Sequence, residues 1–342
     1  MRQLSRIRGS RGLLLILSAI VAMLGALTSS AAASTPTWTE QTPPQHPSAR
    51  FGAAMAQDPA GNELLFGGAG LVGGTLTYLG DTWSWNGSGW KQRTPTTSPS
   101  PRVGAMVAFD AATGTDVLFG GEYCNPSNSC TFYDDTWLWN GRTWRQVSPT
   151  HHPSGRDFAG GAYDAATGTV LLYGGDIGAS AAFDTWTWDG TDWTQQLPAH
   201  IPRTSGAVAL AYDSTTQEAI LFGGQWSGLV DNVTAVWNGT DWTTLSLSAT
   251  PHAREEAAMA DDPVTGQLIL FGGDTGPHNT FSDTWAFTAS HEWVQLTPAT
   301  SPARRAAASM SYDSASSQIV LFGGEHPKNA SLMVFSDTWA YE

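Results

Sequence analysis

Short apolar runs rather than helical stripes set the rhythm of this chain. Six times such a run ends in an aromatic residue followed by two glycines, at Phe66, Phe119, Tyr173, Phe222, Phe271 and Phe322, with successive copies 49 to 54 residues apart. An Asp-Thr-Trp triplet follows at Asp81, Asp135, Asp184, Asp283 and Asp337, and the fourth copy reads Val233-Thr234-Ala235. Self-similarity with a period near 50 residues marks a propeller built from four-stranded blades. In the second repeat the pattern predicts strand a over residues 103–109, b over 117–119, c over 136–139 and d over 144–147, with Asn140-Gly141 in the tight c–d turn. Strand a is rich in Ala and Gly in nearly every copy, as strands crowding a narrow axis require. Strand b is apolar on both faces, as burial between neighbouring blades requires.

The tryptophans extend the pattern. Trp83 and Trp85, Trp137 and Trp139, and Trp186 and Trp188 sit two apart, hence on one face of strand c, while Trp90, Trp144, Trp193, Trp242 and Trp293 open strand d. Packing between blades accounts for them without a ligand. The glycine doublet, the aromatic at fixed distance and the W-x-Q-x-x-P strand together resemble the kelch repeat over essentially all of residues 34–342. The resemblance implies an all-β, six-bladed propeller of the kelch and galactose oxidase type. The last repeat stops after strand c at Glu342, and residues 38–43 match residues 90–95 and 293–298, so the amino-terminal strand is expected to complete the sixth blade by pairing near residues 338–341. Closure of that kind removes an exposed sheet edge.

Residues 1–33 stand outside the repeats. Arg2, Arg6, Arg8 and Arg11, an apolar stretch over residues 13–27 and Ala31-Ala32-Ala33 read as a secretory signal peptide cleaved near Ala33. Without the four arginines the chain holds 12 basic against 30 acidic residues, a net charge of 12 − 30 = −18. That charge repels nucleic acid and anionic lipid, and no membrane insertion of the mature chain is expected. The reading is a secreted monomer, extracellular, periplasmic or at the cell surface.

Antiparallel connectivity places the b–c and d–a loops on one face. The b–c loops vary from 8 to 13 residues there, which makes that face the candidate for function. Arg50, Arg102, Arg156, Arg254 and Arg305 lie at its channel mouth, either as a ring gripping carboxylate or sulfate groups or as blade fasteners. Their partners would be the triplet aspartates or the acidic residues after the glycine pairs, Glu122, Asp176, Asp274 and Glu325. Blade four lacks both the arginine, with Ser205 there and Arg203 displaced by two, and the triplet Asp, so a pairing such as Arg102 with Asp135 is expected in the intact blades only. Trp226 alone of the 16 tryptophans occupies no repeat position. It either stacks on a sugar or protein ligand or folds inward to fill the space left by Ala235. Seven of eight histidines fall in the same loops without metal-binding spacing, and no metal or other cofactor is expected. Galactose oxidase uses a copper site with a Tyr crosslinked to a Cys, but the only cysteines here, Cys124 and Cys130, share one loop and read as a disulfide clip.

Neither hydrolase nor nucleotide-binding signatures appear, and no catalytic residue is assigned. The expected function is a binding or interaction module for a protein or glycan. A carbohydrate-active enzyme with a polar site at the channel mouth, in the manner of kelch-like sialic acid mutarotases, is the alternative, and a structural cell-surface domain is a third.

Overall fold

Each repeat folds as a four-stranded antiparallel sheet in the order a-b-c-d, and six such sheets form the blades of a β-propeller. The computed structural model describes residues 36–342 apart from 179, 277–278 and 329–330; the expected signal peptide and His278 lie outside the described residues. Among the described residues there is no helix. In blade two the strands are Met106–Asp110, Thr115–Phe119, Thr136–Trp139 and Trp144–Val147. Blade six takes its outermost strand, Trp38–Gln41, from the other end of the chain, pairing Trp38 with Tyr341 and Gln41 with Thr338 as expected.

The strand d tryptophan, the triplet threonine, the aromatic and the glycine pair of each repeat link neighbouring blades. The indole Nε1 of each strand d tryptophan donates to the triplet threonine of the preceding blade: Trp144 to Thr82, Trp193 to Thr136, Trp242 to Thr185, Trp293 to Thr234, Trp38 to Thr284 and Trp90 to Thr338, all at 2.9–3.0 Å. These bonds are buried, so each satisfies a donor that would otherwise be costly. The same six tryptophans pack on the aromatic that precedes the glycine pair, Phe66 on Trp144 through to Phe322 on Trp90, with centroids 4.9–5.3 Å apart. An aromatic pair of this kind contributes about 0.5–1.5 kcal/mol beyond its buried area.

The glycine pairs answer to the backbone. A Cβ on the first glycine would lie 2.3–2.8 Å from a carbonyl oxygen of the next blade, for example Gly120 against Arg156. The second glycine donates to that same carbonyl, Gly121 to Arg156 and onward to Gly324 on Arg50, so the bonds close around the propeller. Both glycines have positive φ, 75° and 94° at Gly120 and Gly121, where a side chain is strained.

Nearer the axis a second closed circuit runs through backbone groups alone. Gly104 donates to Gly52, Phe158 to Gly104, Ala207 to Phe158, Glu256 to Ala207, Ala307 to Glu256 and Gly52 to Ala307, at 2.7–3.2 Å. All six residues have φ between 47° and 68°. This circuit corrects the expected start of strand a. Val103 pairs instead with Glu122 in an isolated bridge, the chain turns at Gly104, and the blade strand begins at Met106. The b–c loops hold a further departure: in blades one, two, four and six they rise as two-stranded hairpins, such as Glu122–Cys124 with Cys130–Phe132 and Gln225–Trp226 with Leu229–Val230. Among the described residues no helix is long and apolar enough to cross a membrane.

Candidate functional site

The five arginines at the channel mouth are 0–1 % exposed, each in a fixed set of bonds. In Arg102, Nε donates to the Ser100 carbonyl, one terminal nitrogen to the Gly120 carbonyl and Asp135 Oδ1, and the other to Asp135 Oδ2. The bidentate pairing repeats in Arg50–Asp81, Arg156–Asp184, Arg254–Asp283 and Arg305–Asp337, with N···O of 2.5–2.7 Å across the five closest contacts. Each aspartate also accepts the indole N–H of its own triplet tryptophan, as Asp135 does from Trp137. Burial alone would raise the Asp81 carboxyl, but the bonds and charge of Arg50 and the bond from Trp83 outweigh it and hold that carboxyl below its ordinary range. Asp184, Asp283 and Asp337 are held down in the same way. The gripping-ring alternative does not survive this geometry: Arg50, Arg102, Arg156, Arg254 and Arg305 are buried fasteners, and their partners are the triplet aspartates rather than the acidic residues after the glycine pairs.

Blade four has lost the whole unit. Ser205 is buried at the arginine position, Val233 and Ala235 replace the aspartate and its tryptophan, and Arg203 is exposed. Thr204 Oγ1 donates to the Gly223 carbonyl at 2.8 Å, taking over one of the bonds that arginine makes elsewhere. Trp226 does not fold back into this blade. Ser227 and Gly228, with φ of 52° and 77°, form the tight turn that holds Trp226 out on its hairpin. It is 47 % exposed and meets Phe183 of blade three edge-on at 6.3 Å.

Trp226 overhangs a cleft of about 600 Å³ between the loops of blades two, three and four. Phe132, Phe183 and Trp226 supply its aromatic surface, and Glu122, Asp157 and Asp176 its charge. The Cys124–Cys130 disulfide ties the two strands of the blade-two hairpin directly opposite each other, which holds Glu122 and Phe132 in place. Asp157 and Asp176 are joined through a backbone bridge. Asp157 is 6 % exposed, and its Oδ1 has no hydrogen-bond partner. Burial, followed by the like charges of Glu122 and Asp176, pushes the Asp157 carboxyl up to about 8. Burial also raises Asp176, and burial with the Asp176 charge raises Glu122. The acidic rim continues past blade four. Burial and then Asp274 and Asp176 push Glu255 up to about 7, burial and Asp274 push Glu325 to about 7, and burial pushes Asp274 to about 6.

In the sequence Glu122 and Asp176 stand out only as possible arginine partners, and nothing marks Asp157. The available signal was the acidic residue following the glycine pair in four blades, combined with arginines whose partners were already accounted for. His151 and His200 bond Asp192 and Asp241 of the c–d turns at 2.9 and 2.8 Å, and His291 bonds Glu218 at 2.9 Å. Among the described residues one group of three ligand atoms lies close enough to hold a metal, Glu122 with Cys124 and Cys130, and both sulfurs are spent in the disulfide.

No family model matches the chain. Solved structures do match in fold: one described as that of YjhT superimposes with a TM-score of 0.62 over 87 % of this chain and 96 % of that one, at 15 % identity. At that identity the likeness establishes a kelch-like propeller architecture and nothing about chemistry.

Proposed function

We propose that this chain is a secreted binding module that holds a protein or glycan ligand on the face carrying the b–c hairpins, with the cleft beneath Trp226 as the point of attachment. The observation that carries this reading is a large aromatic held half-exposed by a tight turn over a cleft, in the one blade that departs from the repeat. Tryptophan offers a large, rigid contact area at low entropic cost, and clefts of a few hundred Å³ with few polar groups are the usual form of a small-ligand site. Glycan-array binding and pull-down with the purified protein test the reading. Partners captured by the wild type should be lost with Trp226→Ala. Retention of every partner by Trp226→Ala and by Phe183→Ala would place attachment elsewhere.

A carbohydrate-active enzyme stands second, favoured by one observation: Asp157, protonated near neutral pH beside other carboxyls, has the character of a general acid. Its substrate would be a neutral or aminated sugar. None of the five buried arginines of this face is free to take a sugar acid's carboxylate, since each lies against an aspartate. Release of nitrophenol from a panel of nitrophenyl glycosides, abolished by Asp157→Asn, would move this reading to first place.

A further inference from the structure

The chemistry of the cleft narrows what it binds, and this step rests on the binding reading above. The arginines of this face are matched: they lie on aspartates, and those aspartates also take indole N–H groups. Asp157 Oδ1 is the exception in the cleft, a carboxylate oxygen on a residue more than nine-tenths buried, without a donor. A buried acceptor in that state is costly, and because Asp157 lines the cleft a bound molecule can supply the missing donor. Blade four makes room for the neighbouring carboxylate: a Cβ on Gly206 would stand 2.7 Å from Asp176 Oδ1.

A positively charged donor suits this setting. The charges acting on Asp157 within the cleft are those of Glu122 and Asp176, both negative. A single metal ion is a poor match, because Glu122, Asp157 and Asp176 do not bring their oxygens within 4.8 Å of one another. A wider cation with an apolar body suits the spacing. Phe132, Phe183 and Trp226 offer the aromatic surface on which an ammonium group is held by cation–π attraction. We propose that this cleft binds an organic cation, an ammonium group on a body the size of one sugar ring or one amino-acid side chain, with the charge against Asp157 and Asp176 and the body against Trp226 and Phe183.

Because Asp157 is protonated up to about 8, a cation has to displace that proton through the neutral range, and affinity rises with pH until the carboxyl is ionised. Of the titratable groups facing Asp157, Glu122 from blade two and Asp176 from its own blade raise it, while Tyr78 from blade one and Glu256 from blade five are themselves raised by its charge. A quaternary ammonium does not titrate, so it isolates the protein's contribution.

Calorimetric titration of the purified protein tests this with benzyltrimethylammonium, glucosamine and Nα-acetyl-lysine methylamide as cations, and N-acetylglucosamine and glucuronic acid as neutral and anionic counterparts. The cations should bind, with the quaternary probe roughly tenfold tighter at pH 9 than at pH 6. Asp157→Asn and Trp226→Ala should each weaken it by about tenfold while leaving the melting temperature within a few degrees. The better of the aminosugar and lysine probes identifies a glycan or a peptide as the source of the ammonium group. Equal binding of the neutral sugar, no binding of any cation, or an unchanged affinity in Asp157→Asn would overturn the inference. The broader binding reading would still stand if Trp226→Ala abolished partner capture, and would fall with it if capture were unaffected.

Discussion

Asp116 occupies a strand b position that blades three to six fill with Val170, Ala219, Leu268 and Ile319. It is fully buried, neither carboxyl oxygen has a hydrogen-bond partner, and burial followed by the charges of Asp58 and Glu63 raises its carboxyl well above the ordinary range. Its neutral form still leaves a buried polar group without a partner, beside the carboxyls of Asp58 and Glu63. Asp116→Val should therefore stabilise the protein by about 1–3 kcal/mol at pH 7, read from urea unfolding; a loss of stability would show that the carboxyl has a partner that matters. The opposite sign is expected at Arg102, which is buried in a bidentate pair with Asp135. Arg102→Ala leaves Asp135 without its cation and should cost about 3–5 kcal/mol. Adding Asp135→Ala should recover a large part of that loss, because blade four lives without either partner by using Thr204 on the Gly223 carbonyl. A double-mutant cycle with strictly additive losses would contradict the pairing as an energetic unit.

Among elements, the strand Trp38–Gln41 has the widest reach, since it joins the two ends of the propeller. Removing residues up to 41 takes away the Trp38 bond to Thr284 and the packing on Phe271, and bares the edge of Thr338–Tyr341. The expected result is self-association with a lowered melting temperature, visible in size-exclusion chromatography; a stable monomer would show that closure is dispensable. This strand was legible in the sequence because its Trp and Pro repeat those of the other strand d copies. The arginine pairs were legible because blade four loses arginine and aspartate together, and the joined cysteines because they share one loop. The start of strand a was not legible. Val103 is apolar and strand-forming, but the axial hydrogen-bond circuit forces the turn at Gly104. The cleft was hidden for a deeper reason: Glu122, Asp157, Asp176 and Trp226 come from three blades, and their convergence is a product of blade packing that no spacing along the chain records.

Across the whole molecule two populations of carboxylates pull stability in opposite directions with pH. Asp81, Asp184, Asp283 and Asp337 are held below the ordinary range by their arginines. What they contribute is complete above the unfolded carboxylate value of about 4 and is lost as pH falls through their lower folded values. The rim carboxyls are displaced upward, Asp157 to about 8, Glu255 and Glu325 to about 7 and Asp274 to about 6. Between about pH 4 and these values the folded protein holds protons that the unfolded chain releases, so stability declines as pH rises and levels off beyond about 8. The melting temperature should accordingly peak at about pH 4 to 5, where the fasteners are ionised and the rim is protonated, and fall by several degrees by pH 8. Asp157→Asn should flatten part of that fall, because the amide carries no charge to expose at high pH. A melting temperature that stays level or rises between pH 5 and pH 8 would mean that the rim carboxylates are neutralised by a partner inside the fold. An organic cation in the cleft should raise the melting temperature more at pH 8 than at pH 5, since it binds the ionised form that makes the empty protein weakest there.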